Sequence, residues 1–181
     1  KLINSIKSQL SKVNSELLIA DGSSSDKTIE YLEKLNYCKI ISYSDNSPEE
    51  ALNKLIMFEP GNLKVIIGSD DWVSEDYLSS FALEAERLLK RGINKFILIP
   101  RFYKNIGGSF LKINFPIPFF FLNFIGLGRG IGWGVFNKVG RNPLFSESLE
   151  IASDYDYLLK CLRDKYYFKY VPCRYFHLKD G

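Results

Sequence analysis

The stretch Leu63-Lys64-Val65-Ile66-Ile67-Gly68-Ser69-Asp70-Asp71 decides the fold. A short aliphatic run closed by glycine reads as a buried strand, too brief and too β-branched for a helix. The Gly-Ser-Asp-Asp that ends it is turn chemistry carrying two adjacent carboxylates. Downstream, apolar residues at 78, 81, 82, 85, 88 and 89 share one face of a helix from about Ser74 to Lys90, and Lys95 to Pro100 is again a strand. Upstream the same alternation holds. Leu2, Ile3, Ile6 and Leu10 have helical spacing, and Glu16 to Ala20 is a strand closed by Asp21-Gly22. Ser23 to Ser25 and Asp26 offer N-caps to a helix bearing Ile29, Leu32 and Leu35. Cys38 to Tyr43 is a strand, and Pro48 to Phe58 a helix with proline in its first turn. Strand and helix alternating over short connections predict an α/β domain with a mostly parallel central sheet, since parallel neighbours need crossover helices.

The rest of the chain bounds that reading. Its 181 residues are one domain's worth and bury enough surface to fold without disulfides. At 46% hydrophobic and 25% charged, the composition excludes a disordered chain. A formal charge of +3 is too weak and too evenly spread to argue for nucleic acid. Three cysteines with no CxxC pair argue against a zinc site or a disulfide framework, and make the cytoplasm the default compartment. Residues 113–127 are very apolar but interrupted by two prolines and two asparagines, and are shorter than the ~20 residues of a spanning helix. A glycine-rich stretch from Gly126 to Gly134 follows, then a helix from about Ser153 to Arg163 and β-like runs at 166–171 and 174–178.

Ligands of open α/β sheets bind beyond the carboxyl ends of the strands. Asp21 stands at one such end, able to accept hydrogen bonds from a base or ribose, and Asp70 with Asp71 at another. The adjacent pair supplies hard oxygen donors suited to Mg²⁺ or Mn²⁺, which would hold a diphosphate. Asp154 and Asp156 open the later helix. Each has an ordinary alternative: Asp-Gly is common turn chemistry, Asp70-Asp71 can cap the next helix, and a first-turn aspartate is favoured by the helix dipole whatever its function.

Taken together these residues resemble a family. Glu16-Leu-Leu-Ile-Ala-Asp-Gly-Ser-Ser-Ser-Asp-Lys-Thr28 resembles the E-h-h-h-x-D-G-S-x-D-x-T signature of family 2 glycosyltransferases. Gly68-Ser-Asp-Asp-Trp72 resembles their DXD region, Ile151-Ala-Ser-Asp-Tyr-Asp-Tyr-Leu-Leu159 the segment of the catalytic base, and Phe168-Lys-Tyr-Val-Pro172 the strand that follows it. The resemblance covers nearly the whole chain and implies the GT-A fold, a Rossmann-like three-layer sandwich. Three departures accompany it. The usual opening strand, hydrophobic-Pro-Thr-Tyr-Asn, is missing, so the expected fold lacks its first strand and the natural protein is expected to be longer. Gly68 stands where a first Asp often stands, which makes Asp71, with Asp70 beside it, the expected metal contact. Gly130-Ile-Gly-Trp-Gly134 replaces a His-Gln pair of close relatives, so acceptor recognition does not carry over.

The resemblance implies inverting transfer of a sugar from a nucleoside diphosphate, UDP favoured, to a hydroxyl of a glycan or lipid-linked acceptor in bacterial polysaccharide or glycolipid synthesis. Residues 1–100 would bind the nucleotide sugar, through Asp21, Ser23, Asp70, Asp71 and Mn²⁺ or Mg²⁺. Residues 101–181 would hold the acceptor and the general base Asp154. On the acceptor side, Trp133, flanked by glycines, is a candidate to stack on a sugar with core packing as the alternative, and Asp156 a secondary expectation that reads first as loop support or a helix cap. His177, the only histidine, is a further metal ligand with a strand histidine as the alternative. The phenylalanine-rich residues 115–124 read first as core, then as a wall for a lipid-linked acceptor or a contact with the inner face of the membrane. Two rivals stand beside this reading: a non-catalytic nucleotide-sugar or glycan-binding module, and a sugar nucleotidyltransferase, whose phosphate loop should lie near the first strand rather than at 126–134.

Overall fold

The computed structural model describes residues 2–22, 24–42, 47–58, 63–106, 109–112, 132–138, 140–149 and 152–177. In chain order these form α1 (Leu2–Leu10), β1 (Leu17–Asp21), α2 (Thr28–Glu33), β2 (Cys38–Ser42), α3 (Pro48–Met57), β3 (Lys64–Val65) and β4 (Trp72–Val73). There follow α4 (Tyr77–Lys90), β5 (Lys95–Ile106), β6 (Ser109–Lys112), β7 (Gly134–Asn137), α5 (Ser153–Arg163) and β8 (Tyr167–His177).

Local chemistry explains the boundaries. Ser47 accepts a hydrogen bond from the Glu50 N–H (3.2 Å) and Pro48 needs no partner for its missing N–H, so α3 starts there. The expected caps of α2 take another form: Lys27 is the N-cap residue without a side-chain bond, and Asp26 accepts from the Thr28 N–H at 2.8 Å. In α4, Tyr77, Phe81, Ala85 and Leu88 are buried at helical spacing, and Arg87 and Lys90 in the last turn suit the dipole. Buried Gln9 bolts α1 to this region, donating to the Ser74 carbonyl (2.9 Å) and accepting from the Leu78 N–H (2.9 Å).

The α/β class holds, but the sheet is mostly not parallel. β1 pairs β2 in parallel, and the larger sheet runs β3-β7-β5-β8-β4 with β6 also on β5. In that sheet β5–β8 is parallel, whereas β3–β7, β5–β7, β5–β6 and β4–β8 are antiparallel. The physical reason is that β4, β6 and β7 are short strands that need no crossover helix. β4 lies just ahead of the stretch that reads as helix, and β6 and β7 flank the aromatic region where periodicity fails. β3, β5 and β8 nevertheless run the same way, so their carboxyl ends share one end of the sheet. Phe96, Ile97 and Leu98 are fully buried, which sets β5 at the centre of the core. The β5–β8 register shifts beside Pro100, opposite the segment of β8 holding Pro172, where neither residue can donate to the ladder. All three cysteines are free. No helix among the described residues is long and apolar enough to cross a membrane, and residues 115–124 lie outside them.

Candidate active site

A chain of contacts joins the elements that carry the acidic residues. Asp21 is the last residue of β1, paired with Ser42 at the carboxyl end of β2, and α3 begins a few residues on and packs against β1. At the start of α3, Glu49 accepts a hydrogen bond from the Ser153 hydroxyl (2.7 Å), joining it to the first turn of α5 that carries Asp154. Tyr157, one turn further along α5, stacks on Trp133 with ring centroids 4.8 Å apart. The Trp133 carbonyl in turn accepts from the Ile66 N–H (3.1 Å), at the carboxyl end of β3 where the turn to Asp70 and Asp71 begins.

Each carboxylate has its own setting. Asp21 is 6% exposed and folds back on its own loop, accepting from the Ser24 N–H (2.9 Å) and hydroxyl (2.5 Å). Asp70 is exposed on its turn. Asp71 is 4% exposed, its N–H donating to the Gly68 carbonyl (3.2 Å) and its Oδ2 accepting from the Tyr175 hydroxyl. Burial, then the charge of Asp71, raises the Tyr175 phenol far above its ordinary value and keeps it a protonated donor. Asp154 is half-buried, two residues after Ala152, which sits in the left-handed region at φ +65°. That conformation is uncommon for a residue with a side chain and clusters at functional sites.

The two acceptor-side candidates sit in different settings. Trp133 is 1% exposed and packed against Tyr157 and Phe145, so it presents no ring face to a sugar; it is core. Asp156 accepts from Lys160 (2.8 Å) and from the Ser146 hydroxyl (2.7 Å), which ties α5 to the loop 141–149. Burial raises its carboxyl, but these bonds and the charges of Lys160 and Arg163 outweigh that and hold it below the ordinary value. Ser23 and the side chain of His177 lie outside the described residues, although the backbone of His177 pairs with Lys104 at the carboxyl end of β8. Among the described residues no group of three or more His, Cys, Asp or Glu converges as a metal site.

Glu49, Asn53 and Tyr175 escaped the sequence reading. Asn53 imitates a strand neighbour, donating to the Phe145 carbonyl (3.1 Å) and accepting from the Phe145 N–H (2.7 Å). Only Tyr175 had a signal, the β-like run 174–178, and that run said nothing of its hydroxyl.

Comparison with known proteins bears on the family and the fold. A sequence model of the family described as "Glycosyl transferase family 2" matches residues 1–140. No curated protein matches the chain. Among solved structures, S. aureus TarS 1-349 in complex with UDP-GlcNAc superposes with a TM-score of 0.72 at 16% identity, covering 99% of this chain and 55% of that one. The same protein in complex with UDP gives 0.71 at 15%, covering 99% and 57%. This chain therefore spans little more than half the length of those chains, and shares with them the GT-A fold.

Proposed function

The chain belongs to glycosyl transferase family 2, and from that premise we propose that it transfers a sugar, with inversion, from a nucleoside diphosphate to an acceptor hydroxyl. What supports this is the family match, with Asp21 at the end of β1, Asp70 and Asp71 on the turn after β3 and Asp154 in the first turn of α5, elements that a chain of contacts joins. Residues 1–100 take the donor and residues 101–181 the acceptor. Asp21 anchors the nucleoside side, its loop already closed by Ser24. Of the adjacent pair we place Asp70 ahead of Asp71: Asp70 faces solvent, whereas Asp71 is turned inward onto Tyr175. Asp70 and Asp71 are hard oxygen donors of the kind that Mg²⁺ or Mn²⁺ takes, and such ions commonly complete their shell with phosphate oxygens and water. Such a cation would supply Lewis-acid neutralisation of the leaving diphosphate.

Asp154 acts as general base. It takes the acceptor's hydroxyl proton as that oxygen bonds to the anomeric carbon and the bond from that carbon to the diphosphate breaks. Its place in the first turn of α5 is fixed by the Ser153–Glu49 hydrogen bond and by the bonds that hold Asp156 to Lys160 and Ser146. Those contacts hold the turn that carries Asp154, and an in-line attack demands a positioned base. UDP is the favoured nucleotide, since a structure of the same fold is known with UDP-GlcNAc and with UDP. The acceptor is a glycan or lipid-linked sugar of bacterial polysaccharide or glycolipid synthesis, and the reaction takes place on the cytoplasmic side, where nucleotide sugars are supplied.

The test is D154N against a panel of UDP-, GDP- and dTDP-sugars with Mn²⁺. Loss of a general base lowers kcat by about 10²–10⁴-fold, with nucleotide binding by titration calorimetry retained. Full transfer activity in D154N would remove Asp154 from this role. Binding without transfer or hydrolysis in the wild type would make the chain a nucleotide-sugar-binding module instead.

A further inference from the structure

Resting on that reading, we propose that Tyr175 is the positioning residue of the donor side: its hydroxyl fixes the acidic turn while its ring fixes the segment entering β7. Tyr175 lies on β8 opposite Val73 of β4, two residues past the turn. Its hydroxyl donates to Asp71 Oδ2 and accepts from the Gly68 N–H (3.1 Å), so one oxygen grips both ends of Gly68-Ser69-Asp70-Asp71. The grip is tight. A Cβ added at Gly68 would stand 2.6 Å from Asp71 Oδ2, which gives a physical reason for glycine at this position.

On its other side the ring closes on Gly132. A Cβ there would stand 2.6–2.8 Å from three ring carbons, and Gly132 has φ +137°, a backbone only glycine adopts without strain. Tyr77 adds a second hold, its hydroxyl donating to the Gly132 carbonyl at 2.7 Å. Phe102, edge-on at 5.4 Å, and Tyr77 at 6.3 Å pack the Tyr175 ring, so the hydroxyl cannot swing away. Asp70 is thus carried on a turn whose two ends, Gly68 and Asp71, are tied to the same side chain that abuts the end of the glycine-rich stretch.

The experiment is Y175F, which removes the hydroxyl and keeps the ring, read by calorimetric titration with UDP plus Mn²⁺ and by hydrogen exchange. Loss of one hydrogen bond to a charged group is expected to weaken UDP binding about tenfold, with faster exchange at Gly68 and the neighbouring amides. A merely structural role would lower the fraction of protein that binds and leave the dissociation constant alone. Should Y175F not fold, G68A presses on the Asp71 carboxylate with the tyrosine in place and is expected to weaken binding in the same way. Wild-type binding constants in the variant that folds overturn this proposal alone. A wild type that binds none of UDP, GDP and dTDP overturns the functional reading and this proposal with it.

Discussion

Gly132 shows how much a single position decides. Replacing it with alanine meets both a forbidden backbone angle and the face of Tyr175, so G132A is expected to cost about 2–4 kcal/mol. Urea unfolding measures this directly, and a loss below about 1 kcal/mol would mean that the ring and the segment yield together. At this scale the sequence was half legible. The carboxylates could be picked out because acidic residues at strand and helix ends are visible in the order of residue types. Their burial could not, since whether Asp70 or Asp71 turns inward depends on Tyr175, about a hundred residues away in the chain and silent in any local pattern. Trp133 illustrates the same limit: a ring that stacks on a sugar and a ring packed in the core read alike in the sequence, and this one is closed over by Tyr157 and Phe145.

Among the elements, α5 and the loop 141–149 work as a unit. Lys160 donates to the Leu144 carbonyl (2.9 Å) and the Ser146 hydroxyl (2.6 Å) while pairing with Asp156 (2.8 Å). Because the folded Asp156 carboxyl is held below its ordinary value of 3.8, its contribution is complete above that pH and is lost as pH falls through the lowered value. The stability difference between wild type and D156N is therefore expected to be about 1 kcal/mol near neutrality, shrinking as the buffer is taken to about pH 3. A difference that stayed constant across that range would show that the bonds do not depend on the charge. The helix itself was readable, its expected span from Ser153 to Arg163 matching the structure, because a long amphipathic period is a strong signal. β7 was not, since Gly134-Val135-Phe136-Asn137 is buried throughout and shows no alternation. Nor was β4, two residues long ahead of a helix whose pattern dominates the window. These are the antiparallel strands, which is why a mixed sheet read as a parallel one.

For the whole molecule, the question is what joins the small β1–β2 sheet to the large one. α3 is a main link, packing on β1 and reaching the loop 141–149 through Asn53, which is 4% exposed and bonds both backbone groups of Phe145. N53A leaves those groups buried and unpaired, at an expected cost of about 2–4 kcal/mol. The urea midpoint should fall with the slope unchanged if the two sheets unfold together, whereas two separate transitions would show that α3 does not couple them. The parallel pairing of β5 with β8 sets a different constraint, one of time. β5 is finished at Ile106, but the strand that completes it ends at His177, about seventy residues later. At ~5–20 residues per second the ribosome takes roughly 4–14 s over that interval. For those seconds the strand whose Phe96, Ile97 and Leu98 are fully buried in the finished fold waits beside an open edge, the situation in which nascent chains pair with one another. Fidelity of synthesis thus rests on how the segment between β5 and β8 shields that edge before β8 arrives.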